Sequence, residues 1–137
     1  MNDHRQSERG SEIVIQAFDV YKTFRVGGSE IEVLRGISLQ VRAGETLGIV
    51  GASGAGKTTL INVLGALEPA TRGDVFFRGR AYSEMSNRER TQLRGSFMGF
   101  VFQAYYLLPE LSLLENVMLP AMVRRGAVRS TGGIRRR

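Results

Sequence analysis

The stretch GASGAGKT, residues 51–58, decides the fold. It fits the pattern G-x-x-x-x-G-K-[ST], and it lies between a short apolar run, residues 46–50, and a stretch with helical periodicity, residues 57–67. The apolar run has no polar face, which is typical of a strand buried on both sides of a parallel sheet. The order strand, glycine-rich loop, helix predicts an α/β protein whose loop binds nucleotide phosphates.

The residue types of this loop favour the binding of an anion such as a phosphate group. Its three glycines are expected to let the backbone curl in conformations that a side chain forbids, so that N–H groups point at phosphate oxygens. The N-terminus of the following helix adds the positive end of its dipole. Lys57 supplies a full charge for the β- and γ-phosphates, the Thr58 hydroxyl is placed to bind Mg²⁺, and Thr59 is expected to donate on the α-phosphate side. The loop residues predicted to bind nucleotide are Gly51, Ala52, Ser53, Gly54, Ala55, Gly56, Lys57, Thr58 and Thr59.

Alternating apolar and polar residues precede the loop in the sequence. Residues 12–24 and 31–41 alternate and flank a Gly-Gly-Ser turn, which predicts an antiparallel β hairpin with a bulge or break at Gly36. Residues 75–82 predict a second, smaller hairpin after the helix at 57–67.

Two capping boxes follow. Ser86 and Glu89 predict a helix over residues 87–94, and Ser112 and Glu115 predict another that Pro120 should kink or shorten. Residues 99–103 predict a strand between these helices. The face expected to be apolar on the last helix consists of Leu114, Val117, Met118 and Ala121.

Composition excludes several classes of protein. The chain has 137 residues, no cysteine and a single histidine, His4, so a disulfide scaffold, a cysteine metal site and a Ser/His triad are excluded or disfavoured. The net charge of +6 equals the six arginines within residues 123–137, a stretch without any acidic residue. We therefore expect a disordered leader over 1–11, a domain over 12–125 and a basic unstructured tail over 126–137. The tail leaves weak nucleic-acid binding open as an alternative, without specific recognition.

Beyond the loop, residues 32–77 and 99–120 resemble ABC transporter ATP-binding subunits. The motif LLP…ENVMLP is most similar to the lipoprotein-releasing and macrolide-exporter type. The resemblance covers residues 12 to about 125. It implies a truncated P-loop NTPase of the ABC nucleotide-binding type with an N-terminal antiparallel hairpin, and ATP and Mg²⁺ as cofactors. It also implies a transmembrane permease partner, a homodimer of ATP-binding subunits, and a position at the cytoplasmic face of the inner membrane.

The resemblance adds two site residues. Gln103 matches the glutamine of the Q-loop, which touches Mg²⁺ and the water near the γ-phosphate, so the implied metal ligands are Thr58 and Gln103. Phe24 matches the aromatic residue that stacks on adenine, with nearby Tyr21 as the alternative. The exposed apolar loop at residues 105–108 suits either docking to another protein or packing within the helical subdomain.

The family's signature motif, its Asp-Glu after a second apolar strand and its switch histidine do not match any part of these residues. We therefore expect ATP binding without useful turnover by this chain. We also expect weak stability in isolation, because the strands that would flank residues 46–50 do not occur among these residues. Two alternatives stay open: a catalytically dead nucleotide-binding or regulatory fragment, and another P-loop NTPase such as a small-molecule kinase.

Overall fold

A computed structural model describes residues 12–126, and side chains as far as residue 121. The strands are Ile13–Val26 (β1), Ser29–Arg42 (β2), Arg72–Phe77 (β3) and Arg80–Ala81 (β4), and the helices are Lys57–Leu64 (α1), Asn87–Phe97 (α2) and Leu113–Gly126 (α3). The strands form an antiparallel sheet in the order β2-β1-β3-β4. The chain divides into two compact units between Gln92 and Leu93. The predicted leader and residues 127–137 of the predicted tail lie outside the described residues.

The N-terminal hairpin is confirmed, and so is its irregularity. Between the pairs Val20–Ile37 and Lys22–Leu34, β2 carries one residue more than β1, and Gly36 lies there with φ of +65°. Glycine populates this left-handed region without the steric cost that a side chain brings. The bulge bends β2 at the position that the sequence indicated.

The second hairpin, β3 and β4, is also confirmed, and β3 approaches β1 closely. The register between them shifts between Phe18 and Tyr21, where Asp19 has φ of +47° and Gly73 has φ of +72°. A Cβ added to Gly73 would overlap the carbonyl oxygen of Asp19. Glycine at residue 73 is therefore a condition for pairing β3 with β1.

Helix α1 covers the sheet at β1 and β2. Val20 of β1, Val63 of α1 and Val75 of β3 are the largest fully buried side chains of the first unit. The Tyr82 hydroxyl donates a 2.8 Å hydrogen bond to the Leu64 carbonyl at the end of α1. Burial raises the pKa of Tyr82 to about 12, because the phenolate loses hydration there.

The helix predicted over 57–67 ends earlier, at Leu64. The Gly65 N–H closes the last turn on the Ile61 carbonyl at 2.8 Å, and Ala66 then leaves the helix with φ of +55°. Leu67 therefore lies beyond the helix, and both Leu67 and Ile61 within α1 are exposed.

Both capping boxes are confirmed. The Ser86 N–H and hydroxyl each donate to the Glu89 carboxylate at 2.8 Å, and the Glu89 N–H donates back to the Ser86 oxygen at 3.3 Å. A 2.6 Å bond from Arg80 and these serine bonds lower the pKa of Glu89 to about 2. Ser112 repeats the arrangement with Glu115, whose pKa is lowered by hydrogen bonds from the serine side chain and backbone.

Of the two effects expected of Pro120, shortening is wrong, since α3 continues to Gly126, and a kink stays a prediction. Proline removes one backbone donor, and α3 nevertheless extends beyond it. Leu114, Val117 and Met118 of the predicted apolar face are exposed within the second unit.

Two predicted strands are wrong. Residues 46–50 and 99–103 lie outside the helices and strands, and Val50 is 93% exposed. In the described part of the chain neither run pairs with a strand. A β-strand forms only when a neighbouring strand pairs with its backbone N–H and C=O groups. Without such a neighbour, these two apolar runs do not form strands.

Candidate functional site

The phosphate loop, residues 51–58, leads directly into α1. Gly54 has φ of +78° and Gly56 has φ of +90°, so these two glycines adopt the left-handed backbone that the sequence predicted. Gly51 has φ of +159°, close to extended, so the requirement for glycine rests on Gly54 and Gly56. The loop thus turns twice before the helix begins.

The end of the loop rests on the hairpin. A Cβ at Gly56 would lie 2.9 Å from Val33 Cγ1 and 3.1 Å from the Val33 carbonyl oxygen. Both distances are shorter than ordinary van der Waals contact. β2 therefore sets the position from which α1 starts.

Lys57 folds back across the loop. Its Nζ donates to the Gly51 carbonyl at 2.9 Å and to the Ala52 carbonyl at 2.6 Å. These two bonds hold the ammonium group beside the loop backbone rather than free in solvent. A preorganised cation loses little side-chain entropy when it meets an anion.

The first turn of α1 is free of competing acids. The first turn contains no acidic residue, and among the described residues no side chain makes a capping hydrogen bond at the N-cap, Gly56. The Gly56 carbonyl accepts the first helical bond from Leu60 at 2.8 Å. Because first-turn N–H groups have no acceptor inside the helix, Thr58, which is exposed, and Thr59 present a positive helix end beside Lys57.

The two candidate aromatic residues differ in their surroundings. The Arg72 guanidinium lies 4.3 Å from the Tyr21 ring centroid, and a Cβ on Gly36 would lie 3.0 Å from the Tyr21 hydroxyl. Phe24 is half-buried and has the Lys22 ammonium 4.9 Å from its ring centroid. Both rings thus have a cation on one face, and the choice of Phe24, with Tyr21 as the alternative, stays a prediction. Sequence reasoning missed Lys22, because its hydrogen bond to Pro69 and its ion pair with Glu68 join residues distant in the chain.

Gln103 lies in the second unit, at an exposed bend after residues 99–102. Its role toward Mg²⁺ stays a prediction. The apolar loop at 105–108 that follows is exposed, with Tyr105 at 92%, and the two uses that the sequence left open for it, docking and packing within the helical subdomain, both stay predictions. Asn116, which the sequence did not single out, holds the end of this loop: its side chain accepts from the Leu108 N–H at 2.8 Å and donates to the Leu108 carbonyl at 3.1 Å.

A family model described as ABC transporter matches residues 34–135, which include the whole phosphate loop. The chain belongs to the ABC transporter family. The fold expected from the resemblance is confirmed, and membership of this family implies a nucleotide-binding domain.

Known relatives narrow the type of ABC protein. The chain is 48% identical over 114 residues to the lipoprotein-releasing system ATP-binding protein LolD of Acinetobacter baylyi, covering 83% of this chain and 50% of that protein. It is 45% identical over 107 residues to LolD of Myxococcus xanthus, covering 78% and 48%. This ABC chain therefore spans about half the length of the curated relatives that it matches.

Solved structures show the same relationship. A dimeric structure of MJ0796, a bacterial ABC transporter cassette, superposes with a TM-score of 0.74 at 34% identity, covering 88% of this chain and 50% of that one. A post-hydrolysis dimer of the same ATP-binding cassette, bound to ADP and Pi, gives a TM-score of 0.73 at 33% identity. In the part of the ABC chain that the structure describes, no helix is both long and apolar enough to cross a membrane.

Proposed function

We propose that this chain is the ATP-binding part of an ABC transporter subunit and that residues 51–59 hold the triphosphate of Mg-ATP. The observation that carries the proposal is the position of Lys57, whose ammonium is fixed by two loop carbonyls beside the acid-free start of α1. Full positive charge, helix dipole and left-handed glycines all favour an anion at one place.

Thr58 and Gln103 are the proposed ligands of Mg²⁺. A hydroxyl and an amide oxygen are hard ligands that suit this ion, and both side chains are exposed. Phe24 is the proposed partner of the adenine ring. Its half-buried aromatic surface supports stacking, and stacking alone does not read the edge of the base.

The wider activity is proposed from the relatives. Resemblance to LolD favours ATP-driven lipoprotein release, with macrolide-type export as the related possibility, powered through a permease at the cytoplasmic face of the inner membrane. The dimeric cassettes support a homodimer. The exposed loop at 105–108 supports docking to that permease, since apolar side chains in water favour a protein partner.

Calorimetric titration of the purified chain with Mg-ATP tests the proposal. Lys57→Ala removes a charge-assisted contact worth about 1.5–3 kcal/mol, so affinity should fall roughly tenfold to a hundredfold. Arg25→Ala is the matched control, because it removes a cation from the exposed Arg25–Glu30 pair on the hairpin. Equal affinity of the unmodified chain and Lys57→Ala would refute the assignment of the loop.

A further inference from the structure

Lys22 joins three parts of the first unit. Its ammonium lies 4.9 Å from the Phe24 ring centroid, donates a 2.9 Å hydrogen bond to the Pro69 carbonyl, and lies 3.5 Å from the Glu68 carboxylate. The side chain is only 12% exposed, and that of Glu68 is 33% exposed. This is a partly buried ion pair with a cation–π contact, not a solvated surface charge.

These contacts bridge two elements that bear on a bound nucleotide. Lys22 and Phe24 belong to β1, whereas Glu68 and Pro69 belong to the segment that follows α1, the helix that begins at the phosphate loop. The bridge therefore fixes the aromatic ring relative to the helix whose first turn would hold the phosphates.

We propose that Lys22 is a positioning residue for the adenine base: it orients Phe24 through ring contact while the Glu68 carboxylate and the Pro69 carbonyl hold its ammonium. This inference rests on the proposed function, because it assumes that the base stacks on Phe24. In this proposal the base meets Phe24 and the triphosphate meets residues 51–59, so Lys22 should affect recognition of the base and leave recognition of the triphosphate unchanged. A purely structural role for Lys22 would weaken both equally.

The comparison of two ligands separates these roles. Mg-ATP reports the phosphate loop and the base together, whereas Mg-tripolyphosphate reports the loop alone. Lys22→Met keeps most of the side-chain length and removes the charge. We expect it to weaken Mg-ATP by about three- to tenfold with tripolyphosphate unchanged, because Phe24 loses a contact that favours one ring orientation and must be ordered when the base binds. Lys22→Arg, which retains the cation, should recover most of the loss.

Calorimetry of the full chain with both ligands is the test, and far-UV circular dichroism checks folding of each variant. Arg25→Met is the matched control on the same strand, because its ion pair with Glu30 is exposed, and it should leave both affinities unchanged. If Lys22→Met does not fold, Glu68→Gln gives the same readout, since it removes the carboxylate that holds the ammonium and should lower Mg-ATP affinity selectively.

The outcomes are distinct. Selective loss of Mg-ATP affinity supports the inference. An equal loss of affinity for both ligands, or no loss for either, overturns the inference and leaves the assignment of the phosphate loop unaffected. If Phe24→Ala leaves the ratio of the two affinities unchanged, the stacking assignment fails and the inference fails with it. Absence of ATP binding by the unmodified chain overturns the proposed function and the inference together.

Discussion

Alanine substitutions at glycines of the phosphate loop separate backbone strain from packing. Gly54 and Gly56 both have left-handed φ values, +78° and +90°. A Cβ at Gly54 meets nothing within 4 Å, whereas one at Gly56 meets Val33 Cγ1 at 2.9 Å and the Val33 carbonyl oxygen at 3.1 Å. The two variants therefore share the backbone cost and differ in crowding against β2.

The expected magnitudes follow from this difference. The left-handed backbone costs alanine about 1–2 kcal/mol at either position. The lower entropy of the unfolded alanine chain offsets about 0.4–1 kcal/mol of that cost. Crowding adds about 1–3 kcal/mol in Gly56→Ala alone. We expect Gly54→Ala to lower the free energy of unfolding by about 1 kcal/mol and Gly56→Ala by about 2–4 kcal/mol.

Urea unfolding followed by far-UV circular dichroism measures both values. Gly48→Ala is the reference variant, because Gly48 has neither a positive φ nor a neighbour within 4 Å of an added Cβ, and it should change stability little. Equal losses in Gly54→Ala and Gly56→Ala would show that the loop does not rest on β2. A neutral Gly56→Ala would contradict the left-handed start of α1 as well.

Three further outcomes are expected. Gly73→Ala should abolish the cooperative unfolding transition, because its Cβ overlaps the β1 backbone. Gly79→Ala, with φ of +80° and open space as at Gly54, should cost only about 1 kcal/mol in the same assay. Phe24→Ala should weaken the binding of ATP and of GTP alike, and the affinities of the unmodified chain for the two nucleotides should lie within about tenfold of each other by calorimetry. A loss of affinity in Tyr21→Ala but not in Phe24→Ala would assign the stacking role to Tyr21. The pKa of Glu89 is about 2 against an ordinary 4.5, so its contribution to stability is present above pH 4.5 and is lost as the pH falls toward 2. The difference in urea midpoint between the unmodified chain and Glu89→Gln should therefore shrink from pH 7 to pH 3. A constant difference would contradict this linkage.

The sequence alone determined the features that depend on neighbouring residues. The phosphate loop was evident from residues 51–58, because glycine spacing and the following lysine are local requirements of an anion cradle. The capping boxes were predicted down to their hydrogen bonds, since Ser86 and Glu89 lie within one turn of each other. The bulge at Gly36 and the two hairpins followed from alternation and turn residues.

Tertiary structure decided what depends on contacts between distant residues. Residues 46–50 have the composition of a buried strand, yet strand formation needs a paired neighbour, and in the described residues Val50 lies in water. Composition likewise does not show that Gly73 must pass the Asp19 carbonyl, or that Lys22 spans from Phe24 to Pro69. A periodic pattern indicates which side chains prefer burial, but only the chain's path in three dimensions determines which atoms are available to bury them.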